Sequence, residues 1–168
     1  MKRALSIIAV IQILALSSGC DRLESSISGR LVSQSVCKSS KGESVKSDIS
    51  DDQSCITYFY NGATKKLLVS HINAGFNCCP GKILCKAELA GNTLIITERE
   101  SSAMCSCNCL FDLEIEIDNL DPQVYTVKVI EPYCGDQEKL IFNIDLLSSP
   151  QGSFCVSRKQ YPWGMGGE

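Results

Sequence analysis

Beyond residue 20 the apolar residues recur every second position, in short runs, and the 3.6-residue rhythm of an amphipathic helix does not occur. The elements predicted are therefore strands. Cys55–Tyr60 is rich in β-branched and aromatic side chains and stops at Asn61-Gly62, a hairpin dipeptide. Lys66–Asn73 follows. Ile83–Leu89 and Thr93–Arg99 flank a second turn dipeptide, Gly91-Asn92. In Cys109–Ile117, Phe111, Leu113, Ile115 and Ile117 point one way, while Asp112, Glu114 and Glu116 point the other. Val124–Ile130, Leu140–Leu147 and Ser153–Val156 complete the series, and Arg30–Cys37 alternates weakly enough to suggest an edge strand ahead of a polar loop at 38–53. Seven or eight short strands at this spacing predict an all-β, immunoglobulin-like antiparallel sandwich over residues 29–158, with a flexible tail at 159–168.

The first nineteen residues read differently. Lys2 and Arg3 precede an apolar run from Ala4 to Leu16 and then small residues up to Gly19, the layout of a signal peptide. The run is shorter than the roughly 20 residues that span a bilayer. Leu16-Ser17-Ser18-Gly19-Cys20 resembles a bacterial lipobox. That resemblance implies cleavage before Cys20, diacylglycerol modification of its thiol, and a serine-rich tether at 20–28 between membrane and domain. Losing Lys2 and Arg3 leaves 14 basic against 19 acidic residues. Attachment to a membrane would then come from acyl chains rather than from charge.

Composition narrows the chemistry. The whole chain of 168 residues carries a net charge of −3, without the basic excess that phosphate neutralisation demands, so no nucleic-acid partner is expected. A single histidine, His71, leaves little scope for a His-based catalytic triad, and no nucleophile elbow, phosphate loop or dinucleotide fingerprint occurs. No enzyme activity is expected.

Eleven cysteines are the strongest signal. With Cys20 set aside as the lipid carrier, ten remain: Cys37, Cys55, Cys78, Cys79, Cys85, Cys105, Cys107, Cys109, Cys134 and Cys155. An even number outside the cytoplasm reads as a disulfide framework. Cys105, Cys107 and Cys109 are too far apart in an extended strand to bond one another. They are expected to face Cys78, Cys79 and Cys85, with Cys37–Cys55 and Cys134–Cys155 completing the set. The alternative is a soft-metal site for Zn²⁺ or Cu(I), built from Cys78, Cys79, Cys105, Cys107, Cys109 and His71. Without it, no cofactor is expected.

Asn77-Cys78-Cys79-Pro80, followed by Cys105-Ser106-Cys107-Asn108-Cys109-Leu110-Phe111-Asp112 and then Leu120–Tyr125, resembles a group of bacterial envelope lipoproteins that pair an Asn-Cys-Cys-Pro element with Cys-x-Cys-x-Cys-Leu-aromatic-Asp. The resemblance spans about residues 55–133. It implies an exported β-rich domain with a linked cysteine site, and it implies no activity.

Three further features have local readings. Leu120-Asp121-Pro122-Gln123-Val124-Tyr125 is similar to the tyrosine corner of immunoglobulin-like domains, in which a Tyr hydroxyl bonds back to the turn. The row Asp112, Glu114, Glu116, Asp118 reads as a solvated face with Lys128 or Lys139 as cross-strand partners. His71, among apolar neighbours, reads as a hydrogen-bonded structural histidine. Together these features predict a membrane-anchored lipoprotein of the bacterial cell envelope, facing periplasm or cell surface. Its role would be that of a non-catalytic interaction or structural module for an envelope protein or glycan.

Overall fold

The computed structural model describes residues 26–38 and 49–159. The predicted signal peptide, Cys20, most of the predicted tether and residues 160–168 lie outside the described residues.

Nine strands form in chain order: β1 Ser28–Gln34, β2 Gln53–Asn61, β3 Lys66–Asn77, β4 Ile83–Ala90, β5 Thr93–Glu100, β6 Asn108–Asp118, β7 Val124–Ile130, β8 Ile141–Asp145 and β9 Gln151–Ser157. They make two sheets, ordered β1-β6-β3-β2-β9 and β4-β5-β7-β8, and the fold is an all-β sandwich. Seven or eight strands were expected; the described residues hold nine. All pairings are antiparallel except β5–β7, which is parallel. The chain leaves the second sheet after β5, runs along the first as β6 and returns, and a crossover of this kind is what a parallel neighbour requires.

Turn chemistry sets the hairpins. Gly91 has φ +60° in the two-residue β4–β5 turn, where a positive φ at the first central position matches the twist of the strands. The β2–β3 connection is longer than the Asn61-Gly62 dipeptide suggests. Asn61 pairs with Lys66, the side chain of Asn61 accepts from the backbone N–H of Ala63 and Thr64, and Lys65 takes the left-handed conformation.

Alternation dictates the core. Leu67, Val69, Leu113, Ile115 and Ile117 of the first sheet and Leu94, Ile96, Val127, Val129 and Ile144 of the second are buried between the layers. Phe76 and Phe111 meet edge to face at 6.0 Å. At one edge the sheets approach so closely that a Cβ on Gly29 of β1 would lie 2.7 Å from the backbone nitrogen of Ala87 in β4.

The tyrosine corner forms. The Tyr125 hydroxyl donates to the Asp121 carbonyl at 2.8 Å, and Tyr60 donates to the adjacent Leu120 carbonyl at 2.8 Å, so two buried phenols pin one turn. The acidic row has different partners from those expected. Arg30 pairs with Glu116 and Asp118, Lys66 with the same two, and Lys38 with Asp112. The reason is topological: β6 lies between β1 and β3, whereas Lys128 belongs to β7 of the other sheet and Lys139 precedes β8.

Candidate functional site

Two arrangements stand out, both where β3, β5, β7 and β9 finish: a clasp of cysteines and a buried ionic cluster.

The clasp is organised by Asn77 at the end of β3. Its side-chain oxygen accepts from the backbone N–H of Cys79 and of Cys105, and its amide donates to the Cys105 carbonyl at 2.6 Å. One buried side chain thereby holds the Cys78-Cys79-Pro80 turn against the loop entering β6. Across that contact run the disulfides Cys78–Cys107 and Cys79–Cys105, with Cα separations of 5.6 and 5.4 Å. Both fall inside the span a disulfide tolerates. The backbone adds Cys78 N–H to the Cys107 carbonyl and Met104 N–H to the Cys79 carbonyl. A third bridge, Cys37–Cys109, ties the segment after β1 to β6, and a fourth, Cys55–Cys155, joins directly paired residues of β2 and β9.

The expected meeting of Cys78 and Cys79 with Cys105 and Cys107 is thus present, and the rest of the pairing is corrected. Cys37 bonds Cys109 rather than Cys55, because β1 lies beside β6. Cys155 bonds Cys55 rather than Cys134, because β9 lies beside β2. Cys85 and Cys134 carry free thiols. Cys85 belongs to β4 in the other sheet, paired in register with Glu98, and burial together with the Glu98 charge pushes its thiol far above the ordinary range.

The ionic cluster lies between the sheets. His71, on the core face of β3, is fully buried; its Nδ1 meets Glu98 Oε1 of β5 at 2.7 Å and its Nε2 meets Ser54 Oγ of β2 at 2.9 Å. His71 therefore does not join the cysteines, since both ring nitrogens are engaged elsewhere. Beyond it, Arg158 forms a two-pronged pair with Glu131, at 2.7 and 2.8 Å, and also donates to the Glu138 carbonyl and to Cys134 Sγ. Burial by itself disfavours the imidazolium. The carboxylates of Glu98 and Glu131 outweigh it, so His71 is held protonated above the usual histidine range. Two carboxylates then face two cations in a buried site, as buried charge requires.

The clasp is also tied to the end of β5. Glu100 accepts from the Asn77 backbone N–H and from the Tyr133 hydroxyl. Burial and the neighbouring Glu100 push that phenol up to about 12. A groove of about 530 Å³ opens beside Cys134, with Gln137, Glu138 and Lys159 on its walls.

Ser54, His71 and Glu98 are hydrogen-bonded in the order of a hydrolytic triad, an arrangement one histidine in the sequence did not suggest. All three are at most 2% exposed, so the serine is sealed from any acyl substrate. Sequence reasoning missed Glu98, Glu131 and Arg158 as well, although each shares the parity of buried neighbours: Leu94 and Ile96, Val127 and Val129, and Val156. A comparison of the chain with known protein families, curated proteins and solved structures found no match.

Proposed function

We propose that the chain is a lipid-anchored module of the bacterial cell envelope that acts by contact, as an interaction or structural domain, and not by catalysis. The observation that carries the reading is the clasp. Four disulfides in a domain of this size are a device of oxidising compartments. They also tie together the segments at one end of the sandwich, which in this reading is the end that meets the partner. The lipobox-like Leu16–Cys20 segment supplies the anchor in this reading, with acyl chains on Cys20 holding the domain at a membrane. The sealed Ser54 supports the non-catalytic part. The partner class is an envelope protein or glycan.

The test is detergent phase partitioning of the full chain expressed in a bacterium. Wild-type protein should enter the detergent phase with a mass increment on Cys20, and Cys20→Ser should move to the aqueous phase. Wild-type protein found in the aqueous phase with an unmodified Cys20 would end the anchoring proposal.

One observation favours a second reading. The sulfurs of Cys37, Cys78 and Cys109 lie within 4.8 Å of one another, and Cys107 is bonded to Cys78. Reduced, these thiols would offer a soft-ligand set of the kind Zn²⁺ or Cu(I) takes. Reduced protein should then bind one metal ion and shield four thiols from alkylation. Four thiols that alkylate equally fast with and without metal would remove this reading.

A further inference from the structure

We propose that Lys38, Asn73 and Asp112 are the reactants and the proton carrier of an intramolecular amide crosslink, in which Lys38 Nζ displaces ammonia from the Asn73 side chain. This inference is independent of the envelope reading, because it rests on three side chains that function has not claimed.

Asn73 lies where β3 bulges against β6, between His71 and Ala74, and it is fully buried with φ +64°. A buried non-glycine residue in that conformation is uncommon, and such backbone strain concentrates where a side chain has to be aimed. The aim is fixed by hydrogen bonds. Its Nδ2 donates to the carbonyls of Ser50 and Gln53, at 3.1 and 2.8 Å, which identifies the nitrogen side of the amide without ambiguity. Its Oδ1 accepts from Lys38 Nζ at 2.9 Å. That contact places the amine within about 4 Å of the electrophilic Cγ, given a C=O bond of about 1.2 Å.

The amine is held there from its own side too. Lys38 donates its backbone N–H to Leu110 of β6, follows directly after the Cys37–Cys109 disulfide, and its side chain is only 13% exposed. Asp112 Oδ1 lies 2.5 Å from Lys38 Nζ and accepts the Asn73 backbone N–H at 3.0 Å. One carboxylate thus touches the nucleophile and is bonded to the residue that carries the electrophile. Held in this way, amine and amide react as a unimolecular pair rather than as two solutes.

The step balances without any outside reagent. Asp112 takes one proton from the Lys38 ammonium, and the freed electron pair of Nζ forms a bond to Asn73 Cγ. Asp112 returns the proton to Nδ2, the Cγ–Nδ2 bond breaks, and nitrogen leaves as ammonia, carrying off the second amine proton as ammonium. Asp112 ends as it began. The product is a secondary amide joining the segment after β1 to the bulge of β3, on the face of the first sheet that carries the acidic row. It would resist reduction, which the neighbouring disulfide does not.

The experiment is mass spectrometry of the reduced, denatured full chain beside Lys38→Arg and Asp112→Asn variants. Wild-type protein should be lighter by one ammonia, about 17 Da, after allowing for each substitution, and both variants should lack the deficit. Proteolysis should yield one branched peptide containing Lys38 and Asn73, with no cleavage after Lys38. Comparing wild type with its variants cancels any lipid mass, and peptide mapping excludes ammonia loss at Asn61-Gly62. The wild-type measurement needs no variant to fold. Recovery of Lys38 and Asn73 in separate linear peptides from reduced wild-type protein, or a deficit that persists in Lys38→Arg, would overturn the proposal and leave an ordinary half-buried ion pair.

Discussion

Replacing Arg158 with Met tests the buried ionic cluster most directly. The Arg158 and Glu131 side chains are 0% and 2% exposed and share two contacts, so Arg158→Met strands a buried carboxylate. Removing one partner of a buried pair costs about 3–5 kcal/mol. The same change strips a donor from the Glu138 carbonyl, which pushes the value toward the upper end. For a domain of this length the loss corresponds to roughly 10–20 °C in melting temperature. The companion is Glu131→Leu with Arg158→Met. The double variant removes both charges, leaves His71 beside Glu98 as a neutral pair, and fills the space with apolar side chains. It should recover at least half of the loss, because an apolar replacement of a buried pair is often neutral or better. Urea unfolding followed by circular dichroism, with disulfides intact, measures both. Two results would refute the reasoning: a single variant that loses less than about 1 kcal/mol, which would mean water enters the site, or a double variant no more stable than the single, which would mean the pair's partners and not its charge set the cost.

Four more outcomes follow from the same geometry. Because the folded pKa of His71 is raised, its contribution to stability is complete below about pH 6.5 and is lost as pH rises through the folded value; the gap in urea midpoint between wild type and His71→Gln should shrink as pH is raised above about 6.5, and a gap that widens would show the sign to be wrong. Asn77→Ala removes three hydrogen bonds at the clasp and should cost about 1–3 kcal/mol and increase mispaired disulfides after oxidative refolding, as read by peptide mapping. Tyr125→Phe should cost about 1 kcal/mol in thermal unfolding, and the same for Tyr60→Phe, with a coupling in the double variant because both hydroxyls hold one turn. Denatured but unreduced protein should alkylate at Cys85 and Cys134, and Cys85 should resist the reagent in the folded state at pH 8, where its thiolate is suppressed.

Period-two patterning made most of the fold legible. Val124–Ile130 has the bounds expected of it, and Phe111 to Ile117 buries the expected face, because alternation reports the side of a sheet directly. It reports nothing about which strands become neighbours. Cys37 meets Cys109 across 72 residues and Cys55 meets Cys155 across 100, separations that depend on β6 and β9 being inserted beside strands formed much earlier in the chain. Counting cysteines likewise could not show that Cys85 and Cys134 stay free, since an even total constrains a framework only if every member takes part.

The ionic cluster was hidden for a different reason. Glu98, Glu131 and Arg158 look like ordinary strand-end charges when each is judged by residue type, and like contradictions when judged by position, because each continues a core-facing series at its inner face. A single charge at such a position argues that the strand has ended. Four of them at the same end of the sandwich, two acidic and two basic, argue the reverse: the charges enter together because none can enter alone. That requirement makes His71 intelligible. Glu98 and Glu131 demand two cations, Arg158 supplies one, and the lone histidine of the chain, flanked by Leu67 and Val69 on the same face, is the residue positioned to supply the second. Its protonation is therefore a condition of burying the cluster, so the part of the sandwich most sensitive to pH should be its interior and not its acidic surface.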